Sequence, residues 1–586
     1  MRNAILAVGA VLLSALLSAG EVQSADASDG SDAFGQWTLS NIHGKSVALR
    51  EYADKPLVVV AFLGTDCPLA KLYAKRLDTL AAKYAEQGLV VLGISSNTQD
   101  SLTELTAFVN RHEIRFPMLK DVGNRLAEGV GATRTPEVFL YDAQRQVRYR
   151  GRVDDQYGIG YARDKAERLD LQMAIDEVLA GKDVSQPLTK ASGCLIGRAK
   201  HVAPRGDITY TKHIAAILNA RCVQCHRTGE IGPFTLGSYQ DVVGWEDTIL
   251  EVIDENRMPP WNANPQHGRF KNDARLSDDE KETLRTWIAN GMPEGDAKDL
   301  PEPPVFEEGW RIPKPDQVFA MRDKPFDVPA EGVVDYQRFV VNTHWTEDKY
   351  ITAAEARPDN RSVVHHILVY IIQPGSKLAD NRKVLVGYAP GSLPVMLTDG
   401  IALHVPAGSR LLFELHYTPN GTPQSDASYV GVCFTEKEKV TRLAQGRMAI
   451  QHDFRIPPGA DAHPVTATYQ SRNDEVLLSM TPHMHLRGKA FRYEARYPDG
   501  TSEILLDVPR YDFNWQLKYV LEEPKLLPKG TTLICTALYD NSKANLANPA
   551  PERTVGWGDQ SWEEMMIGFF DTIPPVSSPR ATATID

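Results

Sequence analysis

Cysteine is scarce in this chain of 586 residues: six thiols, unevenly placed, exclude the dense disulfide scaffold of small exported proteins. Low-complexity segments and internal repeats are absent as well. No basic block occurs, and the formal net charge is -12, which argues against nucleic acid or anionic lipid as partner. Small molecules or redox proteins suit such a chain better.

Long apolar runs are missing everywhere except at the start. There "MRNAILAVGAVLLSALLSAGEVQSA" sets Arg2 ahead of an apolar stretch over residues 4–17, followed by small residues with Val22 and Ser24 in the usual recognition positions. A bilayer span needs about 20 apolar residues, so residues 1–24 read as a cleaved secretory signal. The expectation is a periplasmic or secreted protein with no integral membrane segment after cleavage.

What is present is ordinary globular composition, 42% hydrophobic and 24% charged, and at about 150 residues per domain the length suggests about four domains. From Leu57, "LVVVAFLGTDCPLAKLYAKRLDTLAAKYAEQGLVVLGISSN" reads as buried strand, turn, amphipathic helix and buried strand, a βαβ unit in an α/β domain spanning 33–185. A polar connector with Cys194 and Pro204 follows. Residues 208–300 carry short helical segments, the last with Ser277 as N-cap and Gly291 as stop, and form a small all-α unit. A Pro/Glu-rich linker leads to β-like runs between turn residues, long enough for two antiparallel β-sandwiches in series, 316–456 and 457–586.

Three sets of residues carry chemistry. "CVQCH" (Cys222, Cys225, His226) is the c-type haem attachment signature: two thiols on one turn form the thioethers, and the adjacent imidazole takes the proximal face of the iron. A distal ligand is offered by Met258 in "ENRMPPW", held by two prolines; His267 and Met292 are alternatives. Cys67 sits on the turn between a buried strand and a helix, where the helix N-terminus lowers a thiol pKa and exposes a thiolate. Cys194 is its candidate disulfide partner, although the two thiols also read as unrelated. Histidines cluster in "VVHHILVY" (His365, His366), "FELHYTPNG" (His416) and "PHMHLRG" (His483, His485), with Met565 and Met566 in "SWEEMMIGFF". His483 and His485 would project from one face of a strand, whereas His365 and His366 could share a metal only at a bulge, twist or strand end. Imidazole suits copper, zinc, iron and nickel, and a thioether favours cuprous copper. His344, His404, His452 and His463 lack a motif partner and read as structural or surface residues; Cys433 and Cys535 read as buried thiols.

These residues carry resemblances. "GTDCPLAK" with "TRTPEV" resembles the thioredoxin-like superfamily in its redoxin branch, which implies a cis proline at Thr135-Pro136 facing the thiol. Ala70 stands where a second cysteine would, and Gly64 where peroxiredoxins carry Thr or Ser. The stretch from "CVQCHRTGEIGPF" to "LRTWIANGM" resembles cytochrome c modules of multidomain bacterial redox proteins. "HHILVY", "LVGYAPGS", "FELHYTPNG", "PHMHLRGKAF" and "WEEMM", in that order, resemble the copper type II, ascorbate-dependent monooxygenases, the family of peptidylglycine hydroxylase and dopamine β-hydroxylase. The resemblance covers roughly 320–586.

Its implications are two jelly-roll-like β domains and two mononuclear coppers across a solvent-open cleft. An electron-relay copper would lie on His365, His366 and His416. A dioxygen-activating copper would lie on His483, His485 and Met565. The implied reaction is hydroxylation of a C–H bond of a small organic substrate with O2, with electrons from ascorbate, a periplasmic donor or the fused haem c. Thr481, Ile567 and Phe569 replace the polar groups with which peptide-amidating members clamp a carboxylate, so a peptidylglycine substrate is not expected. The competing expectation is a cytochrome c and thioredoxin-like electron-transfer or thiol-redox protein whose copper-binding β domains do not oxygenate.

Overall fold

The computed structural model describes residues 36–198, 202–306, 309–376, 383–397 and 400–576; the signal expected at 1–24 lies outside them. The first domain is built on one strand, Leu57–Phe62, buried along its whole length. It pairs in parallel with Leu89–Ser95 and antiparallel with Glu137–Tyr141. The full sheet runs Ser46–Ala48, Thr38–Asn41, Met118–Lys120, Leu89–Ser95, Leu57–Phe62, Glu137–Tyr141, Val147–Gly151. Because side chains alternate along a strand, Leu57, Val59 and Ala61 enter one core with Tyr73 and Leu77 of the helix Pro68–Lys83, while Val58, Val60 and Phe62 enter the other. A continuous apolar run is what a strand covered on both faces requires.

This domain does not stop near 185. Cys194–Leu195 forms a short strand against Arg134–Thr135, and the next residue, Ile196, is fully buried in the second core. Two residues among polar neighbours give no periodic signal, which is why this stretch reads as a connector.

The helical unit contains Ala215–Arg221, Glu246–Asp254 and Asp278–Ala289 around Ile214, Leu218 and Trp287. Ser277 caps the last helix as expected: its Oγ accepts the Glu280 N–H at 3.1 Å, and the Glu280 carboxylate accepts the Ser277 N–H at 2.7 Å. The unit is not closed on itself, however. Between its last two helices the chain leaves as a strap, and Trp261, Ala263 and Phe270 are buried in the core of the C-terminal β region. The Asn264 N–H donates to the Asp507 carbonyl at 2.7 Å and the Lys271 N–H to the Val520 carbonyl at 2.9 Å.

The β region forms two pairs of facing sheets. In the first, a sheet containing Lys349–Arg357 and Tyr429–Thr435 closes over Gln337–Asn342, Arg410–Tyr417, Val364–Ile372 and Lys383–Tyr388. In the second, Gln445–Ile450, Ile567–Ile573, Glu475–His483 and Tyr519–Leu527 face His463–Gln470, Thr532–Tyr539, Gly488–Arg496 and Ser502–Val508. The boundary expected at 456 moves upstream. Arg442–Leu443 pairs within the first unit and Gln445–Ile450 with Ile567–Ile573 of the second, so the chain changes sandwich at Ala444.

Replacing Trp261 tests the strap. Trp261→Ala empties a buried aromatic site and should cost about 3 kcal/mol or more, seen as an earlier denaturant midpoint for the C-terminal β unit. Val305→Ala, at a side chain 95% exposed, should leave the transition in place.

Candidate redox and metal sites

Cys67 is the residue that opens the helix Pro68–Lys83, delivered there by the central strand. It is not exposed as expected: only 1% of it reaches solvent. Its Sγ lies 2.8 Å from the Thr135 carbonyl, the Thr135-Pro136 peptide is cis, and Thr135 pairs with Cys194 in the short strand. The structure therefore brings the two cysteines together. Burial acts to raise the Cys67 thiol, but hydrogen bonds from the Cys194 side chain and backbone, with Thr135 and Ala70, outweigh it and bring it down to about 6. The bond to Cys67, then burial, push Cys194 up. Cys67 is thus the thiol that ionises first, with Cys194 beside it. A Cβ at position 64 would collide with Asn97, which accounts for glycine where a peroxiredoxin carries Thr or Ser.

In the C-x-x-C-H segment the chain makes one turn beyond the helix Ala215–Arg221, the His226 N–H donating to the Cys222 carbonyl at 2.9 Å. Both thiols are free, and burial raises both. His226 Nδ1 lies 3.1 Å from the Phe234 carbonyl. A carbonyl only accepts, so the proton sits on Nδ1 and Nε2 keeps its lone pair for a metal. Of the three distal candidates, Met292 is enclosed in the helical core and His267 lies on the docked strap, while Met258 is half-buried.

The strand Val364–Ile372 solves the doublet problem. Its pairing with Arg410–Tyr417 slips by one residue between Val364 and His366, a bulge at His365 that turns both imidazoles to one side. His366 is paired directly with His416. His365 Nδ1 lies 3.0 Å from His366 Nδ1 and 3.4 Å from His416 Nδ1, and the three side chains each offer a ligand atom within 4.8 Å of the others. Burial holds all three neutral, His365 down at about 4 and the others well below the ordinary histidine value. Three neutral imidazoles that converge through Nδ1 can satisfy one another only in part, whereas a central cation would take a lone pair from each. The donor set fits a metal that takes imidazole.

The second set is held the other way round. His483 ends the strand Glu475–His483 and His485 begins the following turn, with Met484 between them fully buried in the core. Nδ1 of His483 lies 2.6 Å from Gln516 Oε1, and Nδ1 of His485 3.3 Å from the Glu563 carbonyl, which leaves each Nε2 its lone pair. Glu564 ties in the methionine segment: its carboxylate accepts the N–H of His485 at 2.9 Å and of Arg487 at 2.7 Å. Met566 is fully buried in the core, whereas Met565 is half-buried and turned from it. Ile567 pairs across from His483, and the Phe569 ring lies 6.0 Å from the His483 ring, so an apolar wall stands beside this pair.

The space between the two sets is not the solvent-open cleft expected. His366, His483 and His485 are 4%, 8% and 1% exposed. Tyr336 stacks at 5.2 Å on His416 and lies 6.4 Å from His485, and Phe513 lies 5.6 Å from His416 and 6.1 Å from His485. Two aromatic rings fill the gap and exclude water. Sequence reasoning missed Tyr336, Phe513 and Gln516, because each reaches the site from a segment with no local motif; Glu564 stands in the WEEMM motif, but its part in holding the His485 backbone was not read from it. The motif-less His404 is bonded to Asp348 at 2.8 Å, and His452 packs on Trp557.

Comparison with known proteins bears on the first domain. Residues 31–150 match the AhpC/TSA family. The thiol-disulfide oxidoreductase ResA of Halalkalibacterium halodurans is 26% identical over 111 residues, 19% of this chain and 61% of that protein, so the chain spans about three-fifths of that relative's length. A chloroplastic peroxiredoxin Q of Gentiana triflora is 30% identical over 91 residues, 16% of this chain and 41% of that protein. Among solved structures, a hypothetical protein of Sinorhizobium meliloti shares 36% identity, with 28% of this chain and 91% of that one covered, at a TM-score of 0.26. The N-terminal domain is a thioredoxin-like redoxin domain. Among the described residues no helix is long and apolar enough to cross a membrane.

Cys194→Ala tests the thiol pair. In the native protein the rate of Cys67 alkylation should rise with pH around 6 and fall below it as the thiolate is protonated. Without the Cys194 hydrogen bonds, burial dominates and the profile should move up toward or beyond the ordinary thiol range.

Proposed function

We propose that this chain is an extracytoplasmic copper monooxygenase, one that hydroxylates a C–H bond of a small organic substrate with dioxygen and carries its own redox modules. The observation that supports it is the bulge at His365, which gathers His365, His366 and His416 into one neutral donor set opposite His483 and His485. Copper bound there would supply one-electron transfer and dioxygen activation. His483, His485 and Met565 are assigned to the copper that faces substrate, and the other three histidines to the relay copper.

The protein's own part is positional. Gln516 and the Glu563 carbonyl fix the tautomers and tilt of His483 and His485. Tyr336 and Phe513 keep water from the space between the two sets. Ile567 and Phe569 offer an apolar surface, which suits an uncharged substrate. Haem c is assigned to Cys222, Cys225 and His226, with Met258 as distal ligand; ascorbate or an extracytoplasmic donor is the proposed electron source.

A second reading has its own support. The hydrogen-bonded Cys67–Cys194 pair and the thiol-disulfide oxidoreductase relative favour a thiol-redox or electron-transfer protein whose β domains hold metal without oxygenation. The relatives speak for the redoxin domain directly, whereas the oxygenase rests on the histidine geometry.

Metal and haem stoichiometry after copper loading, with ascorbate-driven oxygen uptake, separates the two. The oxygenase requires two coppers and one haem per chain. Met565→Ile should abolish uptake while keeping the relay copper, and His366→Ala should lose that copper. Haem without copper, or uptake indifferent to Met565→Ile, would leave the thiol-redox protein as the better account.

A further inference from the structure

Between the C-x-x-C-H segment and the first β unit lies a cavity of about 310 Å3, lined by Cys225 and by four arginines, Arg227, Arg311, Arg357 and Arg361. That volume admits a small ligand. Among the described residues two carboxylates answer the four guanidinium groups. Glu230 is shared by Arg227 and Arg361, each at 2.7 Å. Glu355 is shared by Arg311 at 2.9 Å and Arg357 at 3.5 Å. Counted over the described residues, the cavity's guanidinium groups outnumber the carboxylates that answer them by two.

The guanidinium groups are also braced. Arg227 lies over the Phe306 ring at 4.1 Å, Arg357 over Trp310 at 5.5 Å and Arg361 over Tyr388 at 6.0 Å. Such stacking orients a planar fork without neutralising it. Nε of Arg227 and of Arg357 are buried with no hydrogen-bond partner, and the Arg357 side chain is only 14% exposed. Stacked guanidinium groups that keep an unsatisfied Nε–H match the geometry of a carboxylate.

We propose that this cavity binds a carboxylate-bearing anion beside Cys225, held by Arg227 and Arg357 across the junction of the helical and β units. Two sources share that chemistry. One is a propionate arm of a haem joined at Cys222 and Cys225, a source that rests on the haem assignment above. The other is a free small dicarboxylate.

Calorimetric titration of the full-length protein with succinate, with covalent haem quantified as its pyridine haemochrome, tells them apart. If the anion is free, haem-loaded protein binds succinate. Arg357→Gln then weakens binding about tenfold or more, and Arg357→Lys weakens it less. If a propionate fills the cavity, haem-loaded protein gives no succinate heat, and the haem-free Cys222→Ala/Cys225→Ala protein does. Arg357→Gln then also lowers the haem midpoint potential, because a positive charge that disfavours the ferric state is gone. No succinate binding in either form, with an unchanged midpoint potential in Arg357→Gln, overturns the proposal. Failure of the haem assignment shows separately, as protein without haemochrome, and succinate binding to that protein still decides the cavity.

Discussion

Neighbouring residues on a β-strand point to opposite faces, and a one-residue slip is the cheapest way for a strand to break that rule without ending. The slip at His365 does so within a pairing to Arg410–Tyr417 that is regular from His366 onward, so the imidazoles of a doublet meet the one from the adjacent strand. Everything around the site follows from keeping that cluster dry. The second sandwich covers it with its own histidine face, Tyr336 and Phe513 occupy the gap, and the burial that results holds the imidazoles neutral and ready to act as donors.

The two histidine sets differ in which ring nitrogen is free. The triad turns its Nδ1 atoms inward, whereas His483, His485 and His226 commit Nδ1 to an oxygen acceptor and present Nε2. Outer hydrogen bonds that fix a tautomer act at a distance from the ligand atom, and their loss leaves the ligand in place but unaimed. Gln516 is such a residue.

Much of the fold was legible because its signals are long. An apolar run buried on both faces gave the central strand, alternating runs gave the sandwiches, and Ser277 with Glu280 gave a helix start. The histidine clusters were legible as doublet, strand histidine and H-x-H, and a bulge was one of the three arrangements that would let the doublet share a metal. What escaped depends on contacts between distant segments. The strand Cys194–Leu195 is too short for periodicity, the strap at Trp261–Phe270 packs against residues some 250 positions onward, and the change of sandwich at Ala444 has no breaker to mark it. The closed space between the histidine sets escaped for the same reason, since Tyr336 and Phe513 come from opposite sides of it.

The thiol that partners Cys67 comes from the end of its domain rather than from the next helical turn. A two-residue strand is a weak fastening, and here it is the last part of the redoxin domain before the chain enters the helical unit. Reduced, the thiols leave that fastening to two residue pairs, the burial of Ile196 and the hydrogen bonds that tie Ile196 and Gly197 to Thr133, Thr98 and Asn97. Oxidised, they would add a covalent lock at the point where the redoxin domain hands the chain on to the helical unit, beside the Arg134–Glu251 ion pair that already joins the two.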